Sequence, residues 1–339
     1  MSLRSYKDAN NHFRALSKDL LMDMPQDVSL FYQHFDGSIL PKTMYGYLVD
    51  LRDFMSYFVQ HNPSLSQLSD VDSTYLNNLS LWDYNEYMAD VRLRDIQDAA
   101  QCRKLAAIRK YLNFLLKNAD FGFSNVAFLN IETPKKRVRK TVTRMTTDEV
   151  DAFLDNAEFG TRLLDTELPY HERLQTRDIA ILSLMLNTGI RVSECVGLDL
   201  VDVELKYNRI HLFRKGFKEE YVYFPDSTKE YLKTYLEKRR KMNGITPGHE
   251  QALFISRKHN RISDDAVRNL VRKYAATTVP EKHITAHKLR STYGTALYSV
   301  THDIYAVQQV LGHSSIETTK IYVDDAETNK EKLGKQGLF

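Results

Sequence analysis

Apolar residues recur at three- and four-residue steps through much of the first 130 residues. Met44, Leu48, Leu51, Met55 and Phe58 form one such series, widened by Tyr47 and Phe54. That period places them on one face of an amphipathic helix opening after Pro41. Asn62-Pro63 ends it, because the residue before a proline is pushed out of the helical region. A second helical pattern surrounds residues 81–91. A third runs over 96–117, with Leu105, Ile108, Leu112 and Leu115 on one face and Arg103, Lys104, Arg109 and Lys110 on the others. The pattern predicts a small helical bundle, one helix of which has a basic exterior. Such a face either lies along DNA or is simply solvated.

The pattern changes after that bundle. Residues 133–144, TPKKRVRKTVTR, hold six basic residues and no acidic one. Pro134 and the lack of an apolar period make this an extended linker. Thr146 and Glu149 then fit a capping box ahead of Val150 and Phe153. Residues 158–176 read as irregular and polar, and 177–187 as a mostly apolar, buried helix. Thr188-Gly189 breaks that helix and delivers Arg191. Two β-like runs, 209–213 and 220–224, flank Arg214-Lys215-Gly216-Phe217-Lys218 and predict a hairpin with a basic tip. Helices follow near 227–242 and 264–276, then the segment holding His287. There is no internal repeat and no low-complexity stretch.

A chain of 339 residues suggests two domains at roughly 150 residues each. It is 42% hydrophobic and 27% charged, as expected of a globular protein with real cores. No apolar run reaches the roughly 18 residues of a transmembrane helix, and the first residues lack the apolar block of a signal peptide. Cys102 and Cys195 are the only cysteines and sit in no metal-ligand spacing, which argues against a disulfide scaffold or zinc site and fits a reducing cytoplasm. The net charge of +3 is uninformative until it is divided. Residues 1–132 hold 13 Lys+Arg against 16 Asp+Glu, and residues 133–339 hold 34 against 28. The positive excess belongs to the second part, where local patches would meet a polyanion.

That second part also holds the candidate chemistry. Arg191 and Glu194 stand in TGIRVSE, Lys215 in FRKGFK, His287 and Arg290 in AHKLR, His313 in LGH, and Tyr322 nine residues after His313. Breaking a phosphodiester without a metal needs such groups. Arginine forks clamp phosphate oxygens, histidines move protons and donate, a lysine protonates the leaving oxygen, and a phenol attacks. Taken singly, each has an ordinary explanation. Arg191–Glu194 is equally a structural ion pair, and a hairpin lysine is usually solvated, with Lys218 a rival to Lys215. Tyr322 is one of 20 tyrosines, and a free phenol with a pKa of about 10 is a poor nucleophile at neutral pH.

The ordered set resembles the tyrosine recombinase family. It consists of R-x-x-E, a lysine 24 residues after that Arg, H-x-x-R, L-G-H with its His 23 residues after the second Arg, and Tyr nine further on. TGIRVSE and LGHSSIETTKIY carry most of the likeness, and within the family the chain is most similar to Xer-type recombinases. The resemblance implies a mainly α fold with a small antiparallel β-sheet in an α+β catalytic domain, and a two-domain C-shaped DNA clamp. Residues 1–132 would be a helical, SAM-like core-binding domain, 133–144 a basic linker, 145–325 the catalytic domain, and 326–339 a tail docking on a neighbouring protomer.

It also implies roles. Tyr322 would attack the scissile phosphate, leaving a 3′-phosphotyrosyl link and a 5′ hydroxyl. Arg191 and Arg290 would clamp the non-bridging oxygens, and Lys215 would be the general acid. His287 would assist proton transfer, His313 would donate to the phosphate, and Glu194 would orient its neighbours. Arg103, Lys104, Lys135, Lys136, Arg137, Arg139 and Lys140 are candidate DNA contacts. The partners implied are double-stranded DNA with a specific core site and further copies forming a tetramer on it. No cofactor or metal is called for, and the need for an activating protein stays open. Ala286 stands where the family commonly has Pro and Ser291 where a His often follows the Arg; neither removes a catalytic group. Chromosome dimer resolution is the leading role. The rivals are a mobile-element integrase, a relaxing topoisomerase and a non-catalytic DNA-binding regulator.

Overall fold

The computed structural model describes residues 3–94, 96–133, 143–214, 218–313 and 315–320. They divide into two compact units, one within residues 7–133 and the other within 143–320.

The first unit is helical. It comprises α1 (Leu3–Leu21) from residue 7 onward, α2 (Gln26–Phe35), α3 (Pro41–His61), α4 (Ser73–Asn77), α5 (Leu81–Leu93) and α6 (Asp98–Lys117). Pro41 occupies the first turn of α3, where its missing N–H costs nothing. The apolar series on α3 is buried in full, from Met44 to Phe58. It meets Leu105, Ile108, Leu112 and Leu115 of α6 in a core rich in aromatic rings. Buried charges tie the two helices together. Asp50, with no exposed side-chain surface, takes Arg103 at 2.7 Å and Lys104 at 3.3 Å, and Lys104 also reaches Asp53 at 2.9 Å.

The basic exterior predicted for α6 is therefore largely engaged within the unit. Lys104 is buried between two aspartates and does not lie on an open face. Arg103 is paired with Asp50 but keeps an exposed side. Arg109 donates to Thr133 and to the Ile131 carbonyl, and the Lys110 ammonium sits 4.2 Å from the centre of the Phe35 ring.

The second unit is built around α8 (Leu168–Thr188), against which α7 (Thr147–Phe159) packs. The capping box opens α7 as expected: the Thr146 amide donates to Glu149 at 2.7 Å. α8 begins earlier than its apolar pattern shows. Its first nine residues lie mostly at the surface, His171 excepted, while every residue from Arg177 to Leu186 is buried. α9 (Val192–Val196) follows, then a three-stranded antiparallel sheet of β1 (Val203–Glu204), β2 (Arg209–Arg214) and β3 (Lys218–Tyr223) in that order. β1 is too short to leave an alternation in the sequence. In β2 the buried positions are Ile210, Leu212 and Arg214, so an arginine occupies the third core-facing place. α10 (Asp226–Arg240), α11 (Asp264–Thr278), α12 (Ala286–Thr301) and α13 (Ile304–Leu311) complete the unit. Among the described residues, no helix is long and apolar enough to cross a membrane.

Candidate active site

The site forms where three chain turns meet: the end of α8, the start of α12 and the end of α13. α8 stops at Gly189, whose φ of +62° is a left-handed conformation that a side chain would strain. A Cβ there would also lie 2.4 Å from the Tyr293 ring and 2.8 Å from Leu311. The turn carries Arg191 to the start of α9. Its amide and its Nη1 each donate to the Glu194 carboxylate at 2.7 Å. Burial opposes the charge on Glu194, but the Arg191 cation and these bonds prevail and hold its pKa below the ordinary value. The carboxylate thus stays ionised and grips the guanidinium.

α12 begins at Ala286, a first-turn position that also suits proline. His287 and Arg290, three residues apart, project from the same side of the helix. Ser291 is buried, and its hydroxyl donates to the His287 carbonyl at 3.3 Å. Arg290 is 2% exposed and donates to the carbonyls of Gly189 and Leu311. It thereby ties the end of α8 to the end of α13.

α13 ends in a Schellman turn. Gly312 has φ +61°, its amide reaches the Gln309 carbonyl, and the His313 amide reaches that of Gln308. Three arginines approach the next carbonyls. Arg214 donates to Val310 at 3.0 Å, Arg290 to Leu311, and Arg191 to Gly312 at 3.3 Å. The carbonyl end of a helix carries partial negative charge, so it draws cations and fixes where each guanidinium lies. Arg191 keeps 41% of its side chain exposed, which leaves one side of it facing solvent.

Two imidazoles lie in this positive field. His313 Nδ1 is 2.9 Å from the Thr319 hydroxyl. Burial and the charges of Arg290 and Arg191 push its pKa down to about 4. His287 presents much of its surface to solvent, yet partial desolvation and the same two arginines lower it as well. Both rings are neutral at pH 7. An anion placed between the arginines would cancel part of that field and raise both pKa values.

The structure therefore brings together Arg191, Glu194, His287, Arg290 and His313. Lys215 and Tyr322 lie outside the described residues, as do Lys135, Lys136, Arg137, Arg139 and Lys140. Sequence reasoning passed over Arg214, whose only signal is its place after Ile210 and Leu212 in the strand alternation. Among the described residues, no cluster of three or more His, Cys, Asp or Glu is arranged to hold a metal ion.

Residues 143–329 match the Phage integrase family. The tyrosine recombinase XerC of Caldanaerobacter subterraneus subsp. tengcongensis is 31% identical over 311 residues, spanning 88% of this chain and 82% of that protein. XerD of Oceanobacillus iheyensis is 29% identical, spanning 86% and 90%, and XerS of Streptococcus agalactiae is 28% identical, spanning 85% and 88%. Among solved structures, the XerH site-specific recombinase bound to a palindromic difH substrate superposes with a TM-score of 0.65 at 21% identity, covering 86% of this chain and 78% of that one. A lambda integrase dimer bound to a core site gives 0.63 at 15% identity, covering 89% and 95%. These two likenesses concern the fold.

Proposed function

The chain belongs to the phage integrase family and is a tyrosine recombinase of Xer type, a site-specific DNA recombinase; from that premise we propose that it cuts and rejoins duplex DNA through Tyr322. The observation that carries the reading is the convergence of Arg191 and Arg290 on the adjacent carbonyls of Gly312 and Leu311, beside His313. Two guanidinium groups held on neighbouring anchors can grip the two non-bridging oxygens of one phosphate.

In the proposed step the Tyr322 oxygen bonds to phosphorus and the bond to the 5′ oxygen breaks. His287, neutral in the absence of DNA, assists removal of the phenol proton. Lys215 supplies a proton to the departing 5′ oxygen. We assign the Thr319 hydroxyl, 2.9 Å away, as the donor to Nδ1 of His313, which makes Nε2–H the donor to a phosphate oxygen. The arginines oppose the charge that builds on the phosphoryl oxygens. The 3′-phosphotyrosyl link keeps the energy of the broken bond, and a 5′ hydroxyl from a partner strand reverses the chemistry to join the new ends.

The same reading makes residues 1–132 a second DNA-binding domain, 133–144 a strap along the phosphate backbone, and 326–339 a contact between protomers of a DNA-bound tetramer in the cytoplasm. Resolution of chromosome dimers is the role favoured by the XerC, XerD and XerS likenesses. Covalent capture tests the core of the proposal. The protein is incubated with fragmented host DNA and denatured, and the protein-linked DNA is sequenced beside a Tyr322→Phe control. Adducts at one chromosomal site, absent from the variant, are expected. Capture at the ends of a mobile element would replace the chromosomal role. Persistent adducts in Tyr322→Phe would remove the nucleophile.

A further inference from the structure

Arg214 ends β2 on the strand's core face, and its side chain is only 5% exposed. A buried guanidinium at a strand position that otherwise takes Ile or Leu costs free energy unless its donors are used. Its Nη2 donates to the Val310 carbonyl at 3.0 Å, and its Nε lies 3.2 Å from the Glu220 carboxylate across the hairpin. Its Nε and Nη1 are both buried and make no hydrogen bond among the described residues, so the Glu220 contact is an ion pair only. The group also lies close against Gly312: a Cβ added there would meet Nη1 at 1.9 Å and Cδ at 2.8 Å. Gly312 is thus needed both for its left-handed φ and for the approach of Arg214. The same turn takes Arg191 on the Gly312 carbonyl and Arg290 on the Leu311 carbonyl, and it leads directly into His313.

We propose that Arg214 is a positioning residue for strand cleavage: its guanidinium holds the C-terminal turn of α13, so that His313 stays in register with Arg191 and Arg290. The role rests on the strand-cleavage reading above. It concerns a side chain that need not touch DNA. A methionine of similar length would fill the space but could neither hold the Val310 carbonyl nor face Glu220. A lysine would keep the charge and lose the two-pronged grip.

The test is a double-mutant cycle on the duplex that the wild-type protein captures, read as single-turnover cleavage at saturating protein, with the binding of one protomer measured separately. Arg214→Met is expected to slow cleavage by at least about tenfold with first-protomer affinity within about twofold of wild type. Arg214→Lys should recover part of the rate. In a His313→Ala background, Arg214→Met should cost less than about threefold, because the group it positions is gone. A wild-type rate in Arg214→Met, or an equal loss in both backgrounds, overturns the proposal. If circular dichroism shows Arg214→Met unfolded, Arg214→Lys enters the cycle under the same criteria. A second readout needs no cleavage. The His313 imidazole resonance in DNA-free protein should move in Arg214→Met and not in Arg209→Met, which alters a partly exposed position of the same strand. An unmoved resonance overturns the proposal, whereas absence of any wild-type adduct strikes at the Tyr322 reading alone.

Discussion

At the residue scale the site is governed by charge placed against partial burial. His313 titrates near 4 because burial and the positive neighbours Arg290 and Arg191 disfavour its protonated form. In the unfolded chain the ring returns to about 6.5. The folded value is depressed, so its contribution to stability is complete above pH 6.5 and is lost as pH falls towards 4. Between pH 7 and pH 4.5 the wild type should therefore lose about 1–2 kcal/mol more stability than His313→Gln, less than the full shift implies because the ring is partly open to water. Equilibrium denaturation of the two proteins across that range checks this. Parallel curves would mean that the ring is not depressed. The residue types were legible in the sequence. The environment that sets the protonation of His287 and His313 was not: the spacing H-x-x-R shows Arg290 beside His287, but Arg191 reaches both rings, and Arg290 reaches His313, only through packing of separate elements.

At the scale of elements, helix ends do the assembling. Gly189 and Gly312 end α8 and α13 in left-handed turns, and the arginines bind the carbonyls exposed there. The local breaks were visible as Thr188-Gly189 and Leu311-Gly312. That the two ends meet was not, because the contact spans more than a hundred residues. Gly189→Ala measures how tightly they meet. It should cost about 2–3 kcal/mol, combining backbone strain with overpacking against Tyr293 and Leu311. Gly122→Ala provides the comparison. Gly122 has φ +59° but nothing within 4 Å of an added Cβ, so strain alone should cost about 1 kcal/mol. Calorimetry of both variants gives the difference, and equal losses would deny the close packing. The helical periods of α3, α5 and α6 and the β2–β3 hairpin were readable because each buries one regular face. The polar first half of α8 and the short β1 carry no such face and left no signal. The basic exterior of α6 was misleading for the same reason: periodicity shows which residues leave the apolar stripe, and Asp50 and Asp53, some 50 positions earlier, decide what Lys104 then meets.

At the scale of the whole molecule, the proposed recombination needs several protomers on one DNA, each cutting one strand. Residues 326–339 are proposed to link them. Deletion of the residues after Asp325 should leave binding of the first protomer within about twofold and weaken the higher assemblies by at least about tenfold, as loss of a linked contact does. Native gel shifts on the captured duplex report both steps. An unchanged ladder of complexes would remove the tail from the assembly.

The sequence by itself determined the helical first part, the hairpin, the membership signalled by TGIRVSE and LGHSSIETTKIY, and the identities of the groups available for phosphoryl transfer. These are local properties: periodicity, turn chemistry and spaced motifs survive in one dimension. Only the tertiary structure decided that Arg191, Arg290 and Arg214 share three consecutive carbonyls at the end of α13, that Lys104 is enclosed by aspartates, and that both imidazoles are held neutral. The physical reason is that hydrogen-bond partners, burial and local field depend on distances in space. Those distances are set when remote segments pack against one another, and spacing along the chain does not record them.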